Sequence, residues 1–196
     1  ERKNKYTYRI IFLPETIGSI AYLHHNKKKL LQNVVAGYNV ACIGDDRAYS
    51  YMPSRKGDTL SDRAGILTLK KNKIKFTKYE WKDRGSDERQ YCSPGINLPI
   101  ATLCRSKYGE YKEYHTSLDD FHKVVTAKGL QGGYKLIQNT IALIEKSIFP
   151  KNLFNCEPML SKRNLYPKNS NSSFTKEQFL IKELLSWADG TNSIDD

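Results

Sequence analysis

The seven residues 114–120, YHTSLDD, put one imidazole, two hydroxyls and two adjacent carboxylates into a single short stretch. Three other stretches set carboxylates among turn-forming residues: Glu15 in PETIGS, Asp45 and Asp46 in IGDD, and Asp87 in SDERQY. Carboxylates and imidazole are the ligand types of a hydrolytic zinc site, which also needs a carboxylate to take the proton of an attacking water. The same residue types cap helices and shape turns. His115 is therefore open to three readings: metal ligand, catalytic base, or loop residue beside a helix cap. Thr116 with Asp119, and Ser117 with Asp120, each fit a Ser/Thr-x-x-acid capping pattern. That pattern accounts for the hydroxyls and aspartates but leaves the histidine unexplained.

The elements that must position these groups follow from hydrophobic periodicity. Short apolar runs predict strands over 7–13, 38–43, 74–79 and 100–104. Helical spacing predicts helices over 18–31, 59–71 and 131–148, the last with Tyr134, Ile137, Ile141, Ile144 and Ile148 on one face. Residues 80–99 read as loop, broken by Gly85, Pro94, Gly95 and Pro99. Alternating strands and helices indicate an α/β domain: a mixed, mainly parallel sheet with helices on both faces, over residues 1–150. Sites in such sheets form beyond the carboxyl ends of strands, where PET, GDD and the 105–118 loop fall. Residues 151–175, with Pro158, Pro167 and the polar run KNSNSS, read as a linker, and 175–188 as an amphipathic helix capped by Thr175.

Composition narrows the function classes. The 39% hydrophobic and 11% aromatic content of the 196 residues fits a folded globular chain. No run of 18 apolar residues is present, so no membrane-spanning helix is expected. The four cysteines show no CxxC pairing and none neighbours a histidine, so reduced thiols in a cytoplasmic protein are the expectation. The net charge of +11 includes lysine clusters at 27–29 and 70–78. These read as solvated surface, with attraction for nucleic acid or an acidic substrate as the competing reading. His24 and His25, beside the first lysine run, read as a solvated face, and His122 as a surface or capping residue. The chain begins with Glu and stops after a helix-like segment, which suggests a fragment of a longer protein.

The order of the motifs carries a resemblance. The phrases FLPETIGSIAYL, GSDERQYCSPGINLPIATLCRSKYGEYKEYHTSLDD and CEPMLSKRNLYP together resemble zinc aminopeptidases of the co-catalytic exopeptidase fold. Among these they are most similar to a bacterial aminopeptidase-like family with a C-terminal winged helix, whose opening LLSWADGTNSIDD resembles. The resemblance implies a winged-helix segment starting within 176–196 and a cofactor of one or two zinc ions. It implies cleavage of a peptide or small amide, with Glu15 as general base, Asp45 and His115 as metal ligands, and Asp87 orienting the ligands. Asp46 rivals Asp45, and Glu15 itself is open to a ligand role. Arg89, Tyr91 and Tyr114 are candidates to shape a substrate pocket. In such enzymes the first histidine ligand and the bridging aspartate precede the Glu motif; no His or Asp precedes Glu15 here. Two alternatives stand beside this reading. One is a non-catalytic binding or regulatory protein, reaching nucleic acid through its basic surface or winged helix. The other is an amide hydrolase acting on modified sugars or cell-surface precursors. Oligomeric state is not set by any of these residues.

Overall fold

The computed structural model describes residues 4–121, 123–167 and 173–194. They fall into two compact units, residues 1–145 and 146–196. The first unit holds a four-stranded sheet in the order β1 (Gly37–Asn39), β4 (Ile100–Cys104), β2 (Ser50–Met52), β3 (Thr77–Lys78). The β1–β4 and β2–β3 pairs are parallel and the central β2–β4 pair is antiparallel, so the sheet is mixed. Four helices join it: α1 (Ile17–Asn33), α2 (Leu60–Lys71), the short α3 (Glu88–Tyr91) and α4 (Ala127–Lys146).

Successive residues of a strand face opposite ways, and β4 shows this directly. Ile100 packs with Leu23 and Leu30 of α1 and with Leu98. Ala101 and Leu103 pack instead with Tyr51, Leu69 of α2 and Leu136 of α4. The helix predicted over 59–71 and the strand over 100–104 are found where the periodicity put them. Strand β2 is absent from the sequence expectation. Its residues Ser50, Tyr51 and Met52 are all buried, so a short polar-flanked segment fills the middle of the sheet with no alternation to reveal it.

The predicted strand over 7–13 has no regular secondary structure and lies outside the sheet, with Ile10 80% and Phe12 91% exposed. An apolar run becomes a strand only when a neighbour accepts its backbone hydrogen bonds, and among the described residues none pairs with it. The predicted strands over 38–43 and 74–79 shorten to β1 and β3.

Asp62 ties α2 to the sheet. Its buried carboxylate accepts from Tyr51 Oη at 2.8 Å, Ser54 N at 2.7 Å, Ser54 Oγ at 2.5 Å, Thr59 N at 2.8 Å and Thr59 Oγ1 at 2.6 Å. Removing one acceptor that serves so many buried donors leaves each of them to be desolvated unpaired, at about 1–3 kcal/mol for each donor that finds no water. Asp62→Ala is therefore expected to destabilise unit 1 by about 3 kcal/mol or more. Urea unfolding should show a lower midpoint at unchanged slope.

Helix α4 begins a turn earlier than its sequence pattern, because Thr126 Oγ1 accepts from Gly129 N at 2.9 Å and caps it. The cap expected within YHTSLDD is thus displaced: residues 114–121 form a run of turns and bends. The buried face of α4 is Gly129, Gly133, Leu136, Thr140 and Ile144, whereas Tyr134 lies 65% exposed. Small residues at 129 and 133 let the helix axis approach the chain at 43–45. A β-carbon on Gly129 would meet the Gly44 carbonyl oxygen at 2.0 Å, and one on Gly133 the Ile43 carbonyl oxygen at 2.4 Å.

In the second unit, α5 (Lys176–Trp187) is capped as expected by Thr175, which accepts from Gln178 N at 3.2 Å. The segment expected as linker contains a 3-10 turn at Leu160–Arg163, and Lys151 bridges to Asp189. Most of the KNSNSS run (168–172), and His122, lie outside the described residues.

Candidate active site

Glu15 stands on a strained turn. Thr16 has φ 62° and ψ −69°, and Ile17 N donates to the Glu15 carbonyl at 2.7 Å, which closes a γ-turn of the rare positive-φ form. For a β-branched residue this conformation costs on the order of 1–3 kcal/mol. Two side chains from the 86–89 segment hold it. Asp87 Oδ1 accepts from Thr16 N at 2.7 Å, and Arg89 Nη2 donates to Thr16 Oγ1 at 3.2 Å. The Glu15 side chain projects to solvent.

Asp45 is the opposite case, buried and fully engaged. Oδ2 accepts from Ser106 N at 2.7 Å, while Oδ1 accepts from Ser106 Oγ at 2.8 Å and Arg47 N at 2.9 Å. Burial pushes the Asp45 carboxyl up, but the Ser106 and Arg47 donors outweigh it and hold the group below the usual carboxylate range. Its carbonyl oxygen accepts from Arg105 Nε at 2.6 Å, and the Arg105 guanidinium stacks on Tyr49 at 3.5 Å from the ring centre. Asp46 is exposed.

A depressed carboxyl pKa stabilises the fold above the unfolded value, about 3.8, and that contribution is lost as pH falls through the folded value. Unfolding midpoints measured from about pH 5 to about pH 2.5 should therefore fall for the wild type. Asp45→Asn should start lower at pH 5 and lose less over the same interval; parallel curves would remove Asp45 from the acid response.

His115 sits in the 105–118 loop with φ 58°, exposed, its ring stacked on Tyr114 at 3.9 Å between centroids. Tyr111 meets Tyr114 edge-on at 5.6 Å and donates to Asp119 Oδ2 at 2.8 Å. Its hydroxyl also lies 3.5 Å from Cys42 Sγ. Arg47 lies over the Tyr111 ring and pairs with Glu113 at 3.0 Å.

The same few charges act on the Tyr114 hydroxyl and the Cys42 thiol. Burial pushes the Tyr114 hydroxyl up, and the charges of Glu15, Cys42 and Asp119 add to it. Burial likewise raises the Cys42 thiol; the Tyr111 hydrogen bond opposes this, and the Asp119, Asp45 and Glu15 charges reinforce it. The Glu15 charge thus acts on both the Tyr114 hydroxyl and the Cys42 thiol, and the Asp45 charge on Cys42. Arg105, Ser106, Cys42 and Tyr111 were not singled out as site residues in the sequence. For Arg105 and Ser106 the signal was the CRS phrase that leaves the buried run IATLC; Cys42 and Tyr111 carried none.

A catalytic zinc needs three protein ligands and an open position. Among the described residues no group of three or more His, Cys, Asp or Glu side chains converges to hold a metal ion. Asp45 and His115 would supply two ligands, and the Asp45 oxygens already take hydrogen bonds from Ser106 and Arg47. The residues described do not by themselves fit a zinc centre.

The comparisons with known proteins fall on the same architecture. A polysaccharide biosynthesis protein with aminopeptidase-like domain, provisionally so named, from Clostridium acetobutylicum is 38% identical over 194 residues, covering 98% of this chain and 44% of its own. A crystal structure from the same organism, provisionally described as a peptidase, is 36% identical with a TM-score of 0.76, covering all of this chain and 43% of that one. The chain therefore spans less than half the length of these relatives. Two more distant structures share the fold. An aminopeptidase from Aneurinibacillus sp. strain AM-1 is 14% identical with TM-score 0.52, covering 66% of this chain and 30% of that one. BSAP, a zinc aminopeptidase from Bacillus subtilis, is 16% identical with TM-score 0.51, covering 65% and 32%. The family description that matches residues 1–147 is a domain of unknown function, DUF4910. With three quarters of its length matched and its mixed α/β fold shared with aminopeptidase-like structures, the chain belongs to the DUF4910 family.

Proposed function

We propose that this chain is the proton-handling part of an aminopeptidase-like amide hydrolase, with Glu15 as its general base. The observation that carries the reading is the Glu15 turn: a solvent-facing carboxylate on a strained backbone, clamped by Asp87 and Arg89. The aminopeptidase-like domain in the relative's name supports the same reaction class.

In this reading Glu15 takes a proton from the attacking water and delivers it to the leaving amine. Tyr114 and Arg89 border the space where the substrate amide lies, and Asp87 keeps the Glu15 turn in place. Zinc remains a proposal, with Asp45 and His115 as two of its ligands. No step above depends on it, because the described residues do not complete its coordination. The substrate is an amide of a peptide or of an acylated sugar, the latter favoured by the relative's association with polysaccharide biosynthesis. A cytoplasmic location belongs to the same proposal. Among the described residues no helix is long and apolar enough to cross a membrane.

The test is release of free amine from amino-acid amides and from N-acylated hexosamines, with zinc content measured on the same protein. Turnover of either class supports the reading. A protein that cleaves neither, with or without added zinc, sinks it.

A second reading has its own observation in the second unit. Phe179, Leu180, Leu184 and Trp187 of α5 are each at least half exposed, and α5 has no buried residue. Such a helix suits a binding module, and the expected winged helix with a nucleic-acid partner belongs here as a proposal. Salt-dependent binding to DNA without amide cleavage would favour it.

A further inference from the structure

Most of the chemistry-bearing groups outside Glu15 are tied down, and one of them has no part in the reaction. Glu88 is fully buried and takes no step in the proposed reaction. Its Oε1 accepts from Gly85 N at 2.8 Å, Ser86 N at 2.9 Å and Tyr108 Oη at 2.8 Å, and its Oε2 accepts from Asn39 Nδ2 at 2.7 Å. These donors come from the 84–89 segment, from the end of β1 and from the 105–118 loop. Glu88 thereby anchors in the core the short helix whose neighbouring residues, Asp87 and Arg89, reach out to Thr16.

The placement of Thr16 has a second feature. Threonine strongly disfavours φ near +60°, whereas glycine accepts it without cost. The turn is thus held by its contacts, not by its own preference. Asp87 accepts the Thr16 amide and Arg89 donates to the Thr16 hydroxyl, so both contacts fall on the strained residue itself. Arg89 is steadied in turn by its Nε donating to the Ser86 carbonyl at 3.2 Å.

We infer that Asp87 and Arg89 form a clamp on the Thr16 γ-turn, and that this clamp, anchored by Glu88, is what fixes the direction of the Glu15 carboxylate. The inference rests on the proposed role of Glu15 and makes Asp87 and Arg89 positioning residues. Asp87 acts here on the backbone next to the base, in place of the expected role of orienting metal ligands.

Amide hydrogen exchange across residues 14–20, followed by NMR on the intact chain, tests the clamp without any need for activity. Asp87→Ala is expected to speed exchange of the Ile17 and Gly18 amides about tenfold or more, the loss expected for one charge-assisted hydrogen bond, while amides of β4 and α2 stay unchanged. Asp87→Asn, which keeps an oxygen for the Thr16 amide, should stay within about threefold of wild type. In a Thr16→Gly background the turn needs no clamp, so adding Asp87→Ala should accelerate exchange by less than about threefold. The inference is overturned if Asp87→Ala leaves 14–20 unchanged, or if its effect is as large in the Thr16→Gly background as in wild type. Should Asp87→Ala fail to fold, Arg89→Ala takes its place: faster exchange of residues 17–18 in the wild-type background and none in Thr16→Gly, which lacks the hydroxyl, supports the clamp, and equal exchange changes in both overturn it. Loss of turnover in Glu15→Gln is read separately, so a clamp without a catalytic Glu15, or the reverse, is visible as such.

Discussion

Glu15→Gln is expected to lower amide hydrolysis by about 10²–10⁴-fold, the usual contribution of a positioned general base, with little change in KM. Glutamine keeps the shape of glutamate but cannot take a proton at neutral pH. The Glu15 side chain is exposed, so the substitution should leave stability within about 0.5 kcal/mol. That combination separates a chemical role from a structural one. Asp46→Asn is the matched control: a second exposed carboxylate from the same set of sequence candidates, whose loss should leave turnover within a factor of about two. Equal turnover by wild type and Glu15→Gln would remove Glu15 from the reaction. A fall of the same size in Asp46→Asn would mean the effect is not specific to the clamped turn.

Gly129→Ala carries the second large effect, and its sign is the informative part. By helix propensity alone, alanine in place of a helical glycine gains about 1 kcal/mol. The structure requires the opposite. The added methyl would fall 2.0 Å from the Gly44 carbonyl oxygen and 2.6 Å from that of Asp45, both backbone atoms with no rotamer to adjust. Either α4 withdraws or the 43–45 segment moves, at a cost of about 3 kcal/mol as an extreme case of overpacking. Thermal unfolding of the variant should show a clear drop. Because the displaced segment carries Asp45, its bonds to Ser106 should loosen as well, visible as faster exchange of the Ser106 amide. A stabilised Gly129→Ala would mean that α4 does not lie against the 43–45 chain as described.

The two substitutions differ in what made them findable. Glu15 was singled out by the order of motifs around it, in a phrase just before a Gly-Ser helix start that resembles the Glu motif of the aminopeptidases. Gly129 was not, since its reason lies across the fold. The sequence read α4 through its large apolar residues, and so placed Tyr134 on the buried face; the actual packing runs through Gly129 and Gly133. Close approach of two backbones leaves no hydrophobic signal. Asp45 was singled out over Asp46 by motif order, yet its bonds to Ser106 join residues 61 positions apart, and no local pattern predicts such a pairing.

The sequence by itself determined the elements whose residues repeat with a clear period: α1, α2, β4 and α5, each within a few residues. It also marked Glu15, Asp87 and His115 as polar groups in the turns and loops between elements. Local periodicity suffices for α1 and α2, which each bury one face and wet the other, whereas β4 is a short apolar run buried on both faces and α5 is marked by its Thr175 cap. The tertiary structure alone decided the rest. It placed Ser50–Met52 in the middle of the sheet and left 7–13 outside it, because a strand exists only with a partner to take its hydrogen bonds. It also brought Asp87 and Arg89, more than 70 positions along the chain, onto Thr16, and so turned a marked carboxylate into a held one.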